Sequence, residues 1–107
     1  MYIENINFER TGGFAGIRIA AKIEMNELPE DQKKEILELL DEMDFEELSE
    51  KLSGKMPVPD GFVYSIEVES RDREYKILAG ESALPGEMQP LIELLEGIAK
   101  RQMRKKD

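Results

Sequence analysis

The chain has 107 residues, 40% apolar and 36% charged, which suits one globular domain around one core and excludes a disordered segment. Its 24 acidic residues against 15 basic ones give a formal net charge of −9, which argues against nucleic acid as the main partner, because phosphate binding rests on positive charge. With no cysteine and no histidine, disulfides, thiolate chemistry, a Ser-His-Asp triad and a zinc or copper site are excluded within the chain, and no metal or cofactor is expected.

The N-terminal residues alternate, with Tyr2, Ile6 and Phe8 on one parity and Asn5, Asn7 and Glu9 on the other. After Gly12-Gly13, the apolar Ile17, Ile19, Ala21 and Ile23 alternate with Arg18, Ala20, Lys22 and Glu24. Two alternating runs about a Gly-Gly dipeptide read as a β-hairpin. With a two-residue turn at Gly12 and Gly13, opposed residue numbers sum to 25, pairing Phe8 with Ile17, Ile6 with Ile19 and Tyr2 with Ile23. A four-residue loop over 12–15 shifts the sum to 27 and keeps the same faces. Neither the first 25 residues nor any later run supplies a signal-peptide core or the roughly 20 apolar residues of a membrane span, so a cytoplasmic protein without membrane contact is expected.

Leu28-Pro29-Glu30-Asp31 opens a helix, with proline at its first position and acids at the positive end of its dipole. Ile36, Leu39, Leu40 and Met43 follow at helical spacing, and Phe45 and Leu48 continue as a short second helix. Residues 53–61 carry Gly54, Pro57, Pro59 and Asp60-Gly61 and form a loop. Phe62, Tyr64, Ile66 and Val68, then Tyr75, Ile77 and Ala79, make a second hairpin. Its opposed numbers sum to 143, so Val68 meets Tyr75 and Ile66 meets Ile77. Leu84-Pro85-Gly86 breaks the chain. Met88, Leu91, Ile92, Leu95, Ile98 and Ala99 line a closing helix whose start lies near Pro90, since that proline sits too deep for a helix begun at Pro85. Basic residues cluster over 100–107 and are expected to complement the helix dipole as a frayed tail.

The order ββαββα, with Asn5, Asn7, Glu9, Arg18, Lys22, Ser65, Glu67, Glu69 and Lys76 on a polar sheet face, predicts an α+β two-layer sandwich. A four-stranded, mainly antiparallel sheet has its helices on one face, in a single domain over 1–107.

The most informative stretch is Phe8-Glu9-Arg10-Thr11-Gly12-Gly13-Phe14-Ala15-Gly16-Ile17. Three glycines in five residues exceed what a two-residue turn needs, and Phe14 is out of phase with Ile17, Ile19 and Ile23. The plain reading is a turn whose aromatic folds back on a neighbour. The functional reading is an exposed aromatic anchor on a thin backbone that enters a narrow cleft. This stretch resembles the signature of the emfourin family, small bacterial inhibitors of protealysin-like metalloproteases of the thermolysin class. A looser likeness extends over the acidic helix, residues 62–68, and Pro90-Leu91-Ile92-Glu93-Leu94-Leu95. The resemblance implies a non-enzymatic, cytoplasmic protein whose partner is a thermolysin-like zinc protease that prefers a large apolar residue just after the scissile bond.

The residues expected to bind the protease are Arg10, Thr11, Gly12, Gly13, Phe14, Ala15 and Gly16, with Phe14 as anchor and Gly13 beside the target's metal. Met56, Pro57, Leu84 and Pro85 are secondary candidates. If each helix crosses the sheet once, the connections at 11–16, 54–61 and 80–86 share one end of the sheet. The free protein is expected to be a monomer. The rival reading is a small acidic adaptor or immunity-type protein that binds a basic partner through residues 30–50, which hold ten acids and two lysines before Lys51. The plain reading of that segment is a solvated helix face; the functional one is steering toward a basic surface. Adjacent acids such as Asp41 and Glu42 diverge on a helix, which disfavours a glycosidase or magnesium site. The glycine-rich turn also lacks the Lys-Ser/Thr ending of a phosphate loop.

Overall fold

The computed structural model describes residues 3–12, 18–52 and 61–105. The strands are β1 (Asn5–Gly12), β2 (Ile19–Glu24), β3 (Phe62–Glu69) and β4 (Glu74–Gly80). The helices are α1 (Glu30–Glu42), α2 (Phe45–Leu52) and α3 (Gln89–Lys105). The expectations placed on Tyr2, on residues 13–17 and on residues 53–60 lie outside the described residues.

The four strands form one antiparallel sheet in the order β2-β1-β3-β4, so the two hairpins sit side by side and β1 and β3 are central. Ile6 and Phe8 of β1, Ile19 and Ile23 of β2, Ile66 and Val68 of β3 and Ile77 of β4 all face the core. They meet Ile36 and Leu40 of α1, Phe45 of α2 and Leu91, Ile92, Leu95 and Ile98 of α3. α3 lies over β2, α2 over β4, and α1 packs on α3. The helices therefore cover one face, and the α+β two-layer sandwich in ββαββα order is the observed architecture.

The second hairpin has the register expected: Val68 opposes Tyr75 and Ile66 opposes Ile77. The first does not. Ile6 opposes Ile23, Phe8 opposes Ala21 and Arg10 opposes Ile19, two and four residues beyond the two registers read from the sequence. The turn does not close at Gly12-Gly13, because β1 runs on through Gly12, which pairs with Phe62 of β3. Even shifts leave every side chain on its face, so the hydrophobic pattern is satisfied equally by all three registers.

Local chemistry explains the helix boundaries. Pro29 stands one position before α1 rather than at its first residue, and its carbonyl accepts the Lys33 N–H. Asp44, with φ at 50°, separates α1 from α2. Aspartate tolerates this left-handed conformation, and the Asp44 carbonyl then accepts the Leu48 N–H to start α2. A 3-10 turn (Gly86–Met88) precedes α3, which starts at Gln89 as the Pro90 argument required. α3 runs to Lys105, so residues 100–105 of the expected frayed tail belong to its last turns.

One corner brings two carboxylates together. Glu24 ends β2 and Glu27 lies in the following 3-10 turn (Met25–Glu27). The Glu27 carboxyl is held above its ordinary value, first by a side-chain hydrogen bond with Glu24, then by the charge of Glu24 and slight desolvation. The folded chain thus holds this proton more tightly than the unfolded chain. Its contribution to stability is full in acid and lost as pH rises through the raised value. Glu27→Gln, which removes the repulsion, is expected to raise the urea midpoint at neutral pH. Midpoints measured against pH should converge with the parent's below about pH 4; a gap of constant size would refute the pairing.

Candidate functional site

The registers bring three connections to one end of the sheet. Gly12 at the end of β1 opposes Phe62 at the start of β3, Val63 opposes Gly80 at the end of β4, and Ile19 at the start of β2 opposes Arg10. The described residues that flank 13–17, 53–60 and 81–88, namely Gly12 and Ile19, Gly61 and Phe62, and Gly80, therefore all lie at this end. The turn at 70–73, closed by the Ser70 N–H donating to the Arg73 carbonyl at 2.8 Å, lies at the other.

The roots of the first two connections touch. Gly12 and Gly61 both have positive φ, 105° and 90°. A Cβ on Gly12 would lie 2.6 Å from the Gly61 carbonyl oxygen, closer than carbon and oxygen approach. Both backbones thus depend on glycine, Gly12 for conformation and for space, and Gly61 for conformation, since a Cβ there meets only the Glu81 carboxylate, at 3.5 Å.

Arg10 occupies an unexpected place. It shares parity with Ile6 and Phe8, so it points to the core side of the sheet, between Ile19 and Tyr64 on the neighbouring strands. Its guanidinium carbon sits 4.7 Å from the centre of the Phe62 ring, and Nη1 is ion-paired with Glu96 Oε1 of α3. Only 18% of the Arg10 side chain and 17% of Glu96 is exposed, and Lys100 reaches the same Glu96 oxygen at 3.5 Å. A cation stacked on an aromatic contributes about 0.5–2 kcal/mol, most where water is excluded. The Arg10 Nε is buried with no hydrogen-bond partner among the described residues.

The other expected site residues divide. Thr11 is half-buried on the polar face opposite Val63, and Gly12 is at the junction. Leu84 is half-buried against the core, and Pro85 introduces the 3-10 turn before α3, so both brace the third connection. Gly13, Phe14, Ala15, Gly16, Met56 and Pro57 lie outside the described residues. Sequence reasoning missed Gly61, Phe62 and Glu96. The parity of Arg10 with Phe8 was the available signal for its inward direction; nothing local pointed to Glu96, 86 residues away.

On the polar face, an open groove of about 1170 Å³ runs from the sheet to the β2 edge, its lining mixing Arg18, Lys22 and Lys76 with Glu9 and Glu67. At the end of the sheet away from the three connections, carboxylate oxygens of Glu67, Glu69 and Glu74 lie within 4.8 Å of one another, close enough to hold a cation. The Asn7 amide already donates to Glu67 and Glu69, at 3.2 Å each.

The glycine geometry sets an order of substitution costs. Gly12→Ala meets both strain and a backbone clash, and Gly61→Ala strain alone. Each is expected to destabilise by about 1–3 kcal/mol, Gly12→Ala the more. Chemical denaturation of both variants measures the difference; equal costs would remove the close approach from the account.

No curated protein and no solved structure matches the chain. The Emfourin family model matches residues 8–96, which span β1 from Phe8, both hairpins and α3 as far as Glu96. With most of the domain inside that match, the chain belongs to the Emfourin family.

Proposed function

We propose that the chain is a proteinaceous inhibitor of a thermolysin-like, protealysin-like zinc metalloprotease, acting in the cytoplasm through the glycine-rich connection at 10–16. Family membership suggests a metalloprotease-inhibitor role. The observation that carries the reading further is the convergence of three connections at one sheet end, two of them rooted at the Gly12–Gly61 contact. A narrow protease cleft excludes the broad faces of a sandwich but admits a sheet end.

In this reading Phe14 fills the apolar pocket just after the scissile position, and Gly13 passes the metal. The root of the loop is held before binding, so little chain entropy is lost on docking. A backbone held by its root also resists the distortion toward a tetrahedral transition state, which slows cleavage of the inhibitor itself. No helix of the described residues is long and apolar enough to cross a membrane.

The acidic-adaptor reading rests on a separate surface. Glu35, Glu38, Asp41 and Glu42 are exposed along α1, where an acidic field draws in a basic partner. Because the two surfaces lie on different elements, one experiment separates them. Peptide cleavage by a panel of thermolysin-like enzymes is measured with the parent protein, with Phe14→Ala and with Glu35→Gln/Glu38→Gln. The expected result is tight inhibition by the parent and at least about tenfold weaker inhibition by Phe14→Ala, roughly 1.4 kcal/mol, with the α1 variant close to the parent. A fully active Phe14→Ala protein rejects that anchor, and loss confined to the α1 variant favours the adaptor.

A further inference from the structure

The geometry points to Arg10 as a positioning residue for the inhibitory end of the sheet rather than a residue that touches the protease; this rests on the inhibitor reading above. Arg10 was expected among the binding residues, and a basic side chain beside a glycine-rich loop invites that assignment. Its direction argues otherwise. The side chain is turned toward the helices, mostly buried, stacked on Phe62 and ion-paired with Glu96.

Those partners belong to different layers. Phe62 opens β3 directly after Gly61, and it opposes Gly12. Glu96 belongs to α3, which packs over β2 and β1. Arg10 itself is opposite Ile19, the first residue of β2. The Arg10 guanidinium therefore links β1, two residues before Gly12, to Phe62 at the root of the connection at 53–60 and to the helix layer, while its backbone pairs with the first residue of β2. The Gly12–Gly61 close approach brings the two roots together, and the Arg10–Phe62 stack sets how Phe62, and with it Gly61, sits against β1. A planar cation held by a ring on one face and a carboxylate at its edge has few alternative poses. The positions of Gly12, Gly61 and Phe62, to which both connections attach, are thereby restricted.

Glu96 is only 17% exposed and is neutralised by Arg10 and Lys100 together. Removing Arg10 leaves the carboxylate with one largely exposed lysine, so the variants must separate geometry from charge. Arg10→Lys keeps the charge facing Glu96 but loses the flat stack on Phe62. Arg10→Met keeps an apolar stem over the ring but loses the ion pair. Glu96→Gln keeps a polar partner for Arg10 without its charge.

The test is amide hydrogen exchange, thermal unfolding and inhibition kinetics on the full chain, with a thermolysin-class enzyme as probe. If Arg10 positions the roots, Arg10→Met speeds exchange at residues 11, 12, 61 and 62 and leaves the Ile66–Ile77 region protected. Dissociation of the protease complex then quickens at least tenfold while association changes less than about threefold. Arg10→Lys and Glu96→Gln fall between the parent and Arg10→Met in both readouts. A purely structural role would instead raise exchange across the whole sheet and lower the unfolding temperature without changing dissociation from the protease, and would overturn the proposal. Weakened inhibition with exchange unaltered would make Arg10 a contact residue and overturn it equally. If the parent protein inhibits none of the enzymes, the inhibitor reading falls, and local against uniform exchange alone decides whether Arg10 holds the roots.

Discussion

β1 is hydrogen-bonded along both edges, to β2 on one side and β3 on the other, and every position in the molecule is referred to its register. Along its inner face run Ile6, Phe8 and Arg10. The first two are closed off entirely beneath the helices, with Phe8 tilted against Tyr64 at 6.4 Å between ring centres. The third continues the same row at 18% exposure, and there a charge replaces an apolar group. The step from Phe8 to Arg10 is the step from the closed core to the partly exposed end of the sheet. The residue at that boundary has to be amphipathic: its stem continues the apolar row, and its head pairs with Glu96.

The charge distribution divides in the same way. The outer sides of α1 and α2 and the polar sheet face carry exposed acids that meet water and a few exposed lysines, as in the Lys34–Glu38 and Lys51–Glu47 pairs. Pairs of that kind contribute little to stability and keep the domain soluble. The Arg10–Glu96 pair differs because water reaches it poorly. Breaking such a pair strands a charge, so it specifies one arrangement of β1, β3 and α3 more strongly than it adds to net stability. On a surface of −9 formal charge, the inward arginine serves architecture, while the acids serve solubility and the field around the molecule.

Most of the fold was legible in the sequence, and the failures have a common cause. The Val68–Tyr75 and Ile66–Ile77 pairs followed from alternation because the turn between β3 and β4 is short, leaving one register. Alternation says nothing about even shifts, and in the first hairpin three glycines around an aromatic permit a longer connection, so the pairing of Ile6 with Ile23 could not be read locally. What decides it is β3: once Phe8 opposes Ile66 and Gly12 opposes Phe62, β1 must stay extended through Gly12. The same non-local strand supplies Gly61 and the Phe62 ring, the two features of the site that no single stretch of sequence announces. The inward direction of Arg10 was written in its parity, but a charge next to glycines suggests solvent until Glu96 is brought up by the fold.

The chain has no cysteine, so no loop is held by a covalent staple, and restraint on one has to come from the fold. Restraint at the loop's root is the economical place to provide it. The entropy cost of closing a short segment grows only slowly with its length, whereas freedom at the hinge multiplies the positions open to its tip. Fixing Gly12 against Gly61 removes hinge freedom by sterics, at a point where any Cβ on Gly12 would collide with a carbonyl. Stacking Arg10 on Phe62 and pairing it with Glu96 removes it by directional contacts to two other elements. The two restraints act on the same pair of strands, β1 and β3, two residues apart along β1. A sandwich whose helices cover only one face thereby has its two central strands, β1 and β3, locked together at one end and tied there to α3.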